Sequence, residues 1–271
     1  MFAVGHKITR LPLSRHPDGI LHYFIAGDWH DFHCHEESVS IMIQHAKMFK
    51  KSDRRLIING DFNDFPEFMD RAGALRRAAR DVDEIEDFFI PAAEKGAAWA
   101  NEMLDRLQKV FSEIVYVEGN HDWRLNNFRN YIPSRYHRDF DIKRLLKLSE
   151  RDIKFVPYNH WLDVGNVSIT HGMYHGTTAC KKHYEAAGRS VIFSHVHQHE
   201  VKSFTRRGET VTSTSLPCMS TLAPEYIKGR ENNWTNGYGL LSVKRNGNFN
   251  FNVFTVWDDE LILDNGKVLK G

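Results

Sequence analysis

The residues best equipped for chemistry sit just after short apolar runs. In "HYFIAGDWHDFHCHEES", residues 22–38, the run from Tyr23 to Ala26 stops at Gly27 and meets Asp28, His30, His33 and His35. Asp28 and His30 are two residues apart, so on extended backbone both side chains point to one side and could hold a cation together. A lone Asp-x-His pair also suits a solvated loop, and the pattern decides little until others join it. Others do: "GDFND" brings Gly60, Asp61 and Asp64, "GNHD" brings Gly119, Asn120, His121 and Asp122, "THG" brings His171, and "SHVH" brings His195 and His197. Imidazole mixed with carboxylate and amide oxygen is the donor set of first-row transition ions rather than of Ca²⁺, which wants six to eight oxygens.

In order along the chain these blocks resemble the five-part signature of the calcineurin-like metallophosphoesterases, D-x-H, G-D-x-x-D, G-N-H-D/E, H and G-H-x-H, over roughly residues 21 to 200. The resemblance implies an α/β fold, a four-layer αββα sandwich of two mixed sheets flanked by helices, with a dinuclear metal site at the strand ends. It implies one ion held by Asp28, His30, Asp61 and His197 and another by Asp61, Asn120, His171 and His195, with Asp61 shared. Two divalent transition-metal ions are the implied cofactors, Mn²⁺ first, with Fe²⁺, Zn²⁺ or Ni²⁺ as alternatives. Such a pair clamps attacking and leaving oxygens and lowers the pKa of a shared water, giving a bridging hydroxide that attacks phosphorus. His121 is then the implied general acid, with Asp122 orienting its ring; a ligand role for His121 stays open. Ser194 stands where the signature has Gly, which asks a residue with a Cβ to take that turn. The Arg-Gly that follows the second block in serine/threonine protein phosphatases is absent.

The elements that must position these residues can be read from the same runs. "LHYFIAGDWH", "RRLIINGDFND", "EIVYVEGNHDW", "NVSITHG" and "SVIFSHVH" read as buried strands, and the segments between the first three have helical composition, a β-α-β pattern. In open α/β sheets ligands bind beyond the carboxyl ends of strands, where these residues cluster. A helical insertion is expected around 65–111, broken near Pro91, with Trp99, Met103, Leu104, Leu107 and Phe111 as a core-facing stripe. Another helix is expected within 126–151, and from about 190 the chain turns β-rich, with turns at Arg-Gly, Asn-Gly and Asn-Gly, suggesting a second mixed or antiparallel sheet. A single domain over 1–271 accommodates all of this.

Composition narrows the partners. Lys plus Arg total 36 against 35 Asp plus Glu, a formal net charge of +1, so no global field draws the protein to nucleic acid or anionic membrane. Three widely spaced cysteines without a C-x-x-C pair suit a reducing, cytoplasmic setting, and neither a leader peptide nor a membrane span is expected. Any polyanion must be met locally. "RAGALRRAAR" (Arg71, Arg76, Arg77, Arg80), with Arg206, Arg207, Lys228 and Arg230, could line a groove for a phosphate backbone, or be a solvated face paired with Asp81, Asp83 and Glu84. The stretch 225–239, with Lys228, Arg230, Asn232, Asn233 and Trp234, reads as a functional loop or an asparagine-capped turn. His33, His35, His175 and His199 are extra, as ligand contacts or wall residues. The expected function is hydrolysis of a phosphodiester, in nucleic acid or a nucleotide, with a small phosphomonoester or an inactive binding scaffold as the rival readings.

Overall fold

A computed structural model describes residues 7–13, 19–70, 73–206 and 208–271. Arg71 and Arg207 lie outside the described residues. The strands in chain order are β1 (Ile8–Arg10), β2 (Ile20–Ala26), β3 (Arg54–Asn59), β4 (Ile114–Val117), β5 (Lys154–Val156), β6 (Trp161–Val164), β7 (Val167–Thr170), β8 (Ser190–Phe193), β9 (Glu200–Arg206), β10 (Glu209–Ser215), β11 (Asn236–Lys244), β12 (Phe249–Val256), β13 (Glu260–Ile262) and β14 (Val268–Lys270). The helices are α1 (Glu36–Ala46), α2 (Ala74–Ala78), α3 (Val82–Glu84), α4 (Ile90–Val110), α5 (Trp123–Phe128), α6 (Ile142–Leu145) and α7 (Ala179–Ala187).

Two six-stranded mixed sheets run β12-β11-β2-β3-β4-β5 and β1-β6-β7-β8-β10-β9. Alternation along the strands explains why they stack. On β2, Leu21, Tyr23 and Ile25 join Ile57 of β3, Val115 and Val117 of β4 and Ile169 of β7 in one core between the sheets. Phe24 and Ala26 point the other way, into a second core with Leu56, Ile58, α1 and α4. Both faces of this sheet are therefore buried, which is why its strands read as near-continuous apolar runs. Behind β8, Phe193 packs on Ala179 and Cys180 of α7, completing the αββα order. Burying one such aliphatic side chain stabilises the fold by about 1.5–3 kcal/mol.

The parallel run β2-β3-β4-β5 puts four carboxyl ends side by side, and those of β2, β3 and β4 carry site residues. α1 makes the crossover from β2 to β3, and the helices α2 to α4 lie between β3 and β4. The expected stripe on α4 is there: Met103, Leu104 and Leu107 are buried, and Phe111 follows.

Two expectations about elements are corrected. Pro91 does not break the helix. It sits in the first turn of α4, where a missing backbone N–H is tolerated, directly after a π-helical turn at Ile85–Phe89. The C-terminal strands are also divided rather than gathered in one second sheet: β8, β9 and β10 belong to the second sheet, β11 and β12 extend the first beside β2, and β13 with β14 makes a separate two-stranded sheet. Among the described residues no helix is long and apolar enough to cross a membrane.

Candidate metal centre

The loops leaving β2, β3, β4, β7 and β8 meet where the two sheets end. Asn59, the last residue of β3, ties them together: its amide donates to the Thr170 carbonyl and to Ser194 Oγ, both at 2.9 Å. Ser194 thus takes the turn where the family motif has Gly, and an added Cβ at Gly27 would strike the Ser194 hydroxyl. Gly119 is equally constrained, since a Cβ there would collide with the backbone and carboxylate of Asp61.

Asp28, His30, Asp61, His195 and His197 all have left-handed backbone, φ between 49° and 74°. Each costs about 1–3 kcal/mol for a residue with a Cβ, so packing and hydrogen bonds must hold it there. They do: the amides of Trp29 and His30 both donate to the Asp61 carbonyl, at 2.8 and 3.0 Å, locking the β2 loop onto the β3 loop. Strain of this kind turns side chains from two sheets toward one point.

Two clusters result. In the first, Asp28 is fully buried; its Oδ2 accepts the His195 amide at 2.9 Å, while Oδ1 lies 3.5 Å from His197 Nε2 without a hydrogen-bond partner among the described residues. His197 Nε2 in turn faces His30 Nε2 at 3.3 Å. In the second, Asp61 Oδ2 lies 3.3 Å from His171 Nε2, which is 3.0 Å from Asn120 Oδ1, and His195 joins them. His171 Nδ1 donates to the Asn59 carbonyl at 2.9 Å, fixing the ring so that Nε2 faces the oxygens.

The electrostatics identify what belongs between these groups. Burial alone would strip charge from His171, but Asp61 outweighs it and pushes the imidazole up to about 9. Burial works against the charge on His197 as well, and Asp28 wins there too. For His195 burial dominates, helped by His171, and its pKa falls to about 4. Burial tends to neutralise Asp61, yet His171 and His121 hold it well below the usual carboxylate range. Two facing imidazole nitrogens, buried beside a carboxylate oxygen with no donor, need a positive charge between them, and a metal ion competes with protons for that place. The donor set fits divalent transition ions: Asp28, His30 and His197 would hold one, and Asp61, His171, His195 and Asn120 the other.

His121 stands beside this pair, its ring centroid 4.7 Å from that of His30. Its Nδ1 is hydrogen-bonded to Asp64 Oδ1, and its Nε2 accepts from Arg124 Nη2 at 3.0 Å. These bonds are complementary in the tautomer that carries its proton on Nδ1. The orienting contact expected from Asp122 is therefore made by Asp64. Asp122 faces away and is fully buried, accepting the amides of Gly119 and Asn63 at 3.0 Å and that of Phe62 at 3.4 Å. Burial, then the charge of Asp61, raises its pKa to about 6. Neighbouring residues entering a helix point apart, so a carboxylate next in sequence to His121 cannot reach its ring. Asp64 was visible as the end of the "GDFND" block, and Arg124 carried no motif signal.

The extra histidines are placed apart. His35 caps α1 and is paired with Glu37 and Asp259, His199 donates to the Ser215 carbonyl at 3.1 Å, His175 is exposed, and the His33 backbone closes the turn after His30. Arg76 is bonded to Asp70 at 2.9 Å and stacked over Tyr131.

The calcineurin-like phosphoesterase family matches residues 21–214. The chain is 29% identical over 196 residues to the gene 54 protein of Mycobacterium phage D29, covering 66% of this chain and 75% of that protein. It is 29% identical over 156 residues to the gene 54 protein of Mycobacterium phage L5, covering 52% and 61%. Among solved structures, a metallophosphoesterase from Sphaerobacter thermophilus is similar at 11% identity and a TM-score of 0.41, over 86% of this chain and 87% of that one. The chain belongs to the calcineurin-like phosphoesterases. It is a metallophosphoesterase whose buried Asp and His clusters are candidate metal sites.

Proposed function

We propose that the protein hydrolyses a phosphodiester, in nucleic acid or a nucleotide, with Asp61 shared between two divalent ions and His121 as general acid. The observation that carries this reading is the placement of the His121 ring beside the facing His30 and His197 imidazoles while Asp64 engages its Nδ1. A bound pair of divalent ions supplies Lewis-acid charge to the phosphoryl oxygens and a nucleophile at neutral pH. Asp28 and Asp61, held off the solvent, keep the charge balance of the centre. Arg124, 14% exposed and 3.0 Å from His121 Nε2, is positioned to take an anionic phosphoryl oxygen of the substrate. With Nδ1–H donated to Asp64 and Arg124 drawn off Nε2 onto a phosphoryl oxygen, Nε2 is free to carry the proton of a protonated His121 and to pass it to the departing alkoxide oxygen. An alkoxide needs that proton far more than a phenolate does, which favours an ester of sugar hydroxyls over an activated aryl ester.

The test is chelation followed by add-back. EDTA-treated protein is expected to lose hydrolysis of diesters and to regain it with Mn²⁺ or a similar first-row ion but not with Ca²⁺, with two ions per chain by elemental analysis. Full activity after exhaustive chelation overturns the metal mechanism; restored activity on small monoesters alone overturns the diester assignment.

A further inference from the structure

Each six-stranded sheet ends in two edge strands, and an unprotected edge is a template for another strand. Three of the four edges are blunted. β1 and β5 are three residues long and carry Arg10 and Lys154, and β9 carries Glu200, Lys202 and Arg206. β12 is different: its eight residues, FNFNVFTV, include neither a charge nor a proline.

The ladder leaves one set of backbone groups open. The Lys244 amide donates to the Asn248 carbonyl at 2.8 Å, so in the register of β11 with β12 the even-numbered residues of β12 turn their backbone groups to β11. The amides and carbonyls of Phe249, Phe251, Val253 and Thr255 therefore point outward, and no strand among the described residues pairs with them. Only at Trp257 is the edge met, by Glu260 where the chain folds back. Between residues 252–255 and the returning Leu261, Ile262 and Asp264 lies an open groove of about 510 Å³. The side chains are unfinished in the same way: Phe249, Phe251 and Val253 pack against the core between the sheets yet stay half-buried.

The charges flanking this edge fit a second copy of it. Lys244 and Arg245 are exposed in the turn before Phe249, and Asp258 is exposed in the turn after Val256. Antiparallel pairing about a two-fold axis brings the basic end of each strand to the acidic end of the other, whereas parallel pairing would set like charges together. One register, with Asn252 on the axis opposite its own copy, uses every open donor and acceptor: Phe249 faces Thr255 and Phe251 faces Val253, each in a hydrogen-bonded pair. It also sets each half-buried Phe251 beside an apolar cross-strand neighbour.

We propose that the protein forms a two-fold dimer through β12, an antiparallel β12 pair centred on Asn252 joining two copies of the first sheet into one. Both β2 and β12 are antiparallel to β11, so the two candidate metal centres lie toward opposite ends of the joined sheet.

The experiment is sedimentation of the full chain over a range of concentrations, with hydrogen exchange of the β12 amides. The wild type is expected at twice the mass of the chain, with the amides of Phe249, Phe251, Val253 and Thr255 protected. Asn252→Lys, at an exposed position, sets two like charges opposite each other; it is expected to raise the dimer dissociation constant about 5-fold or more and to free those amides. Arg245→Glu and Asp258→Arg should each weaken the dimer, and the two together should restore it. Asn252→Cys reads the register. Opposed residues of a non-hydrogen-bonded pair have Cα atoms about 4.5 Å apart, within disulfide reach, so oxidation should link two chains at this position and not in Asn250→Cys. A wild type that stays monomeric with those amides exchanging freely overturns the proposal. A monomer whose amides become protected only when another protein binds assigns the edge to a foreign strand and overturns it too. So does a dimer that is indifferent to Asn252→Lys and is not linked through Asn252→Cys, because it uses another face.

Discussion

His171 and His197 at the candidate metal centre and His45 and His183 in the packed layers are all buried, yet burial leads to opposite outcomes. His45 lies among Phe24, Tyr238 and Phe254, with Nδ1 2.9 Å from the Tyr238 hydroxyl, and burial lowers its pKa to about 4. His183 stacks on Phe193 at 3.8 Å; its Nδ1 donates to the Ala179 carbonyl, its Nε2 accepts the Met173 amide at 3.1 Å, and burial again lowers it to about 4. His171 and His197 are pushed upward instead, against burial, because Asp61 and Asp28 are buried with them. For these four rings the difference is whether a buried carboxylate is close enough to outweigh burial. With the carboxylate present, the pair makes a place for a cation.

The largest expected effect breaks the centre directly. Asp61→Asn should remove the charge that raises His171 and lose bound metal, with turnover falling at least the 10²–10³-fold typical of deleting one preorganised electrostatic group. Elemental analysis beside kinetics decides it: a variant with both ions and near-normal turnover refutes the shared-ligand assignment.

Comparable in size, but selective, is the loss of His121. His121→Ala should slow an alkyl diester about 10²–10⁴-fold, the usual contribution of a general acid, and a p-nitrophenyl ester much less. Asp64→Asn should show the same leaving-group bias more weakly. Asp122→Asn should not show it, because its carboxylate serves the amides of Gly119, Phe62 and Asn63; its signature is lower stability, by about 1–3 kcal/mol for unsatisfied buried donors. Equal slowing of both esters in His121→Ala, with metal lost, would make His121 a ligand.

The packing histidines predict a pH effect of opposite character. The unfolded imidazole titrates near 6.5 and the folded His183 near 4, so between these values the unfolded chain binds more protons. Stability is then full above pH 6.5 and declines as pH falls toward 4, by about 2 kcal/mol at pH 5 from His183. Denaturant titration at pH 7 and pH 5 checks this: His183→Gln should lose stability at pH 7 but show a smaller drop between the two. An identical drop would place the acid sensitivity elsewhere.

The smallest effect is at the family departure. Ser194→Gly removes only the acceptor for Asn59 Nδ2, and should cost about 1 kcal/mol with little change in metal content. A large loss of metal would mean that Ser194, through Asn59, sets the geometry of the second cluster.

Much of this was legible along the chain. The five blocks are local: each consists of a strand end and the turn after it, and apolar runs ending at Gly27, Gly60 and Gly119 announce such turns by composition. The α4 stripe was legible for the same reason, since helical spacing places Met103, Leu104 and Leu107 on one face whatever they pack against. The Trp234 loop could be suspected from its residue types, but not the place of its ring, 4.3 Å from that of His197 between centroids.

The sequence by itself determined which residues can bind metal and on which strand ends they stand, because periodicity and turn chemistry act over a few neighbouring residues. Only the tertiary structure decided who meets whom. That Asp64 rather than Asp122 holds His121, that β11 and β12 join the first sheet, and that the imidazoles of His30 and His197, 167 residues apart, face each other at 3.3 Å all depend on strand register and on the stacking of two sheets. Those are fixed by contacts between distant segments, and side-chain spacing within any one segment carries no record of them.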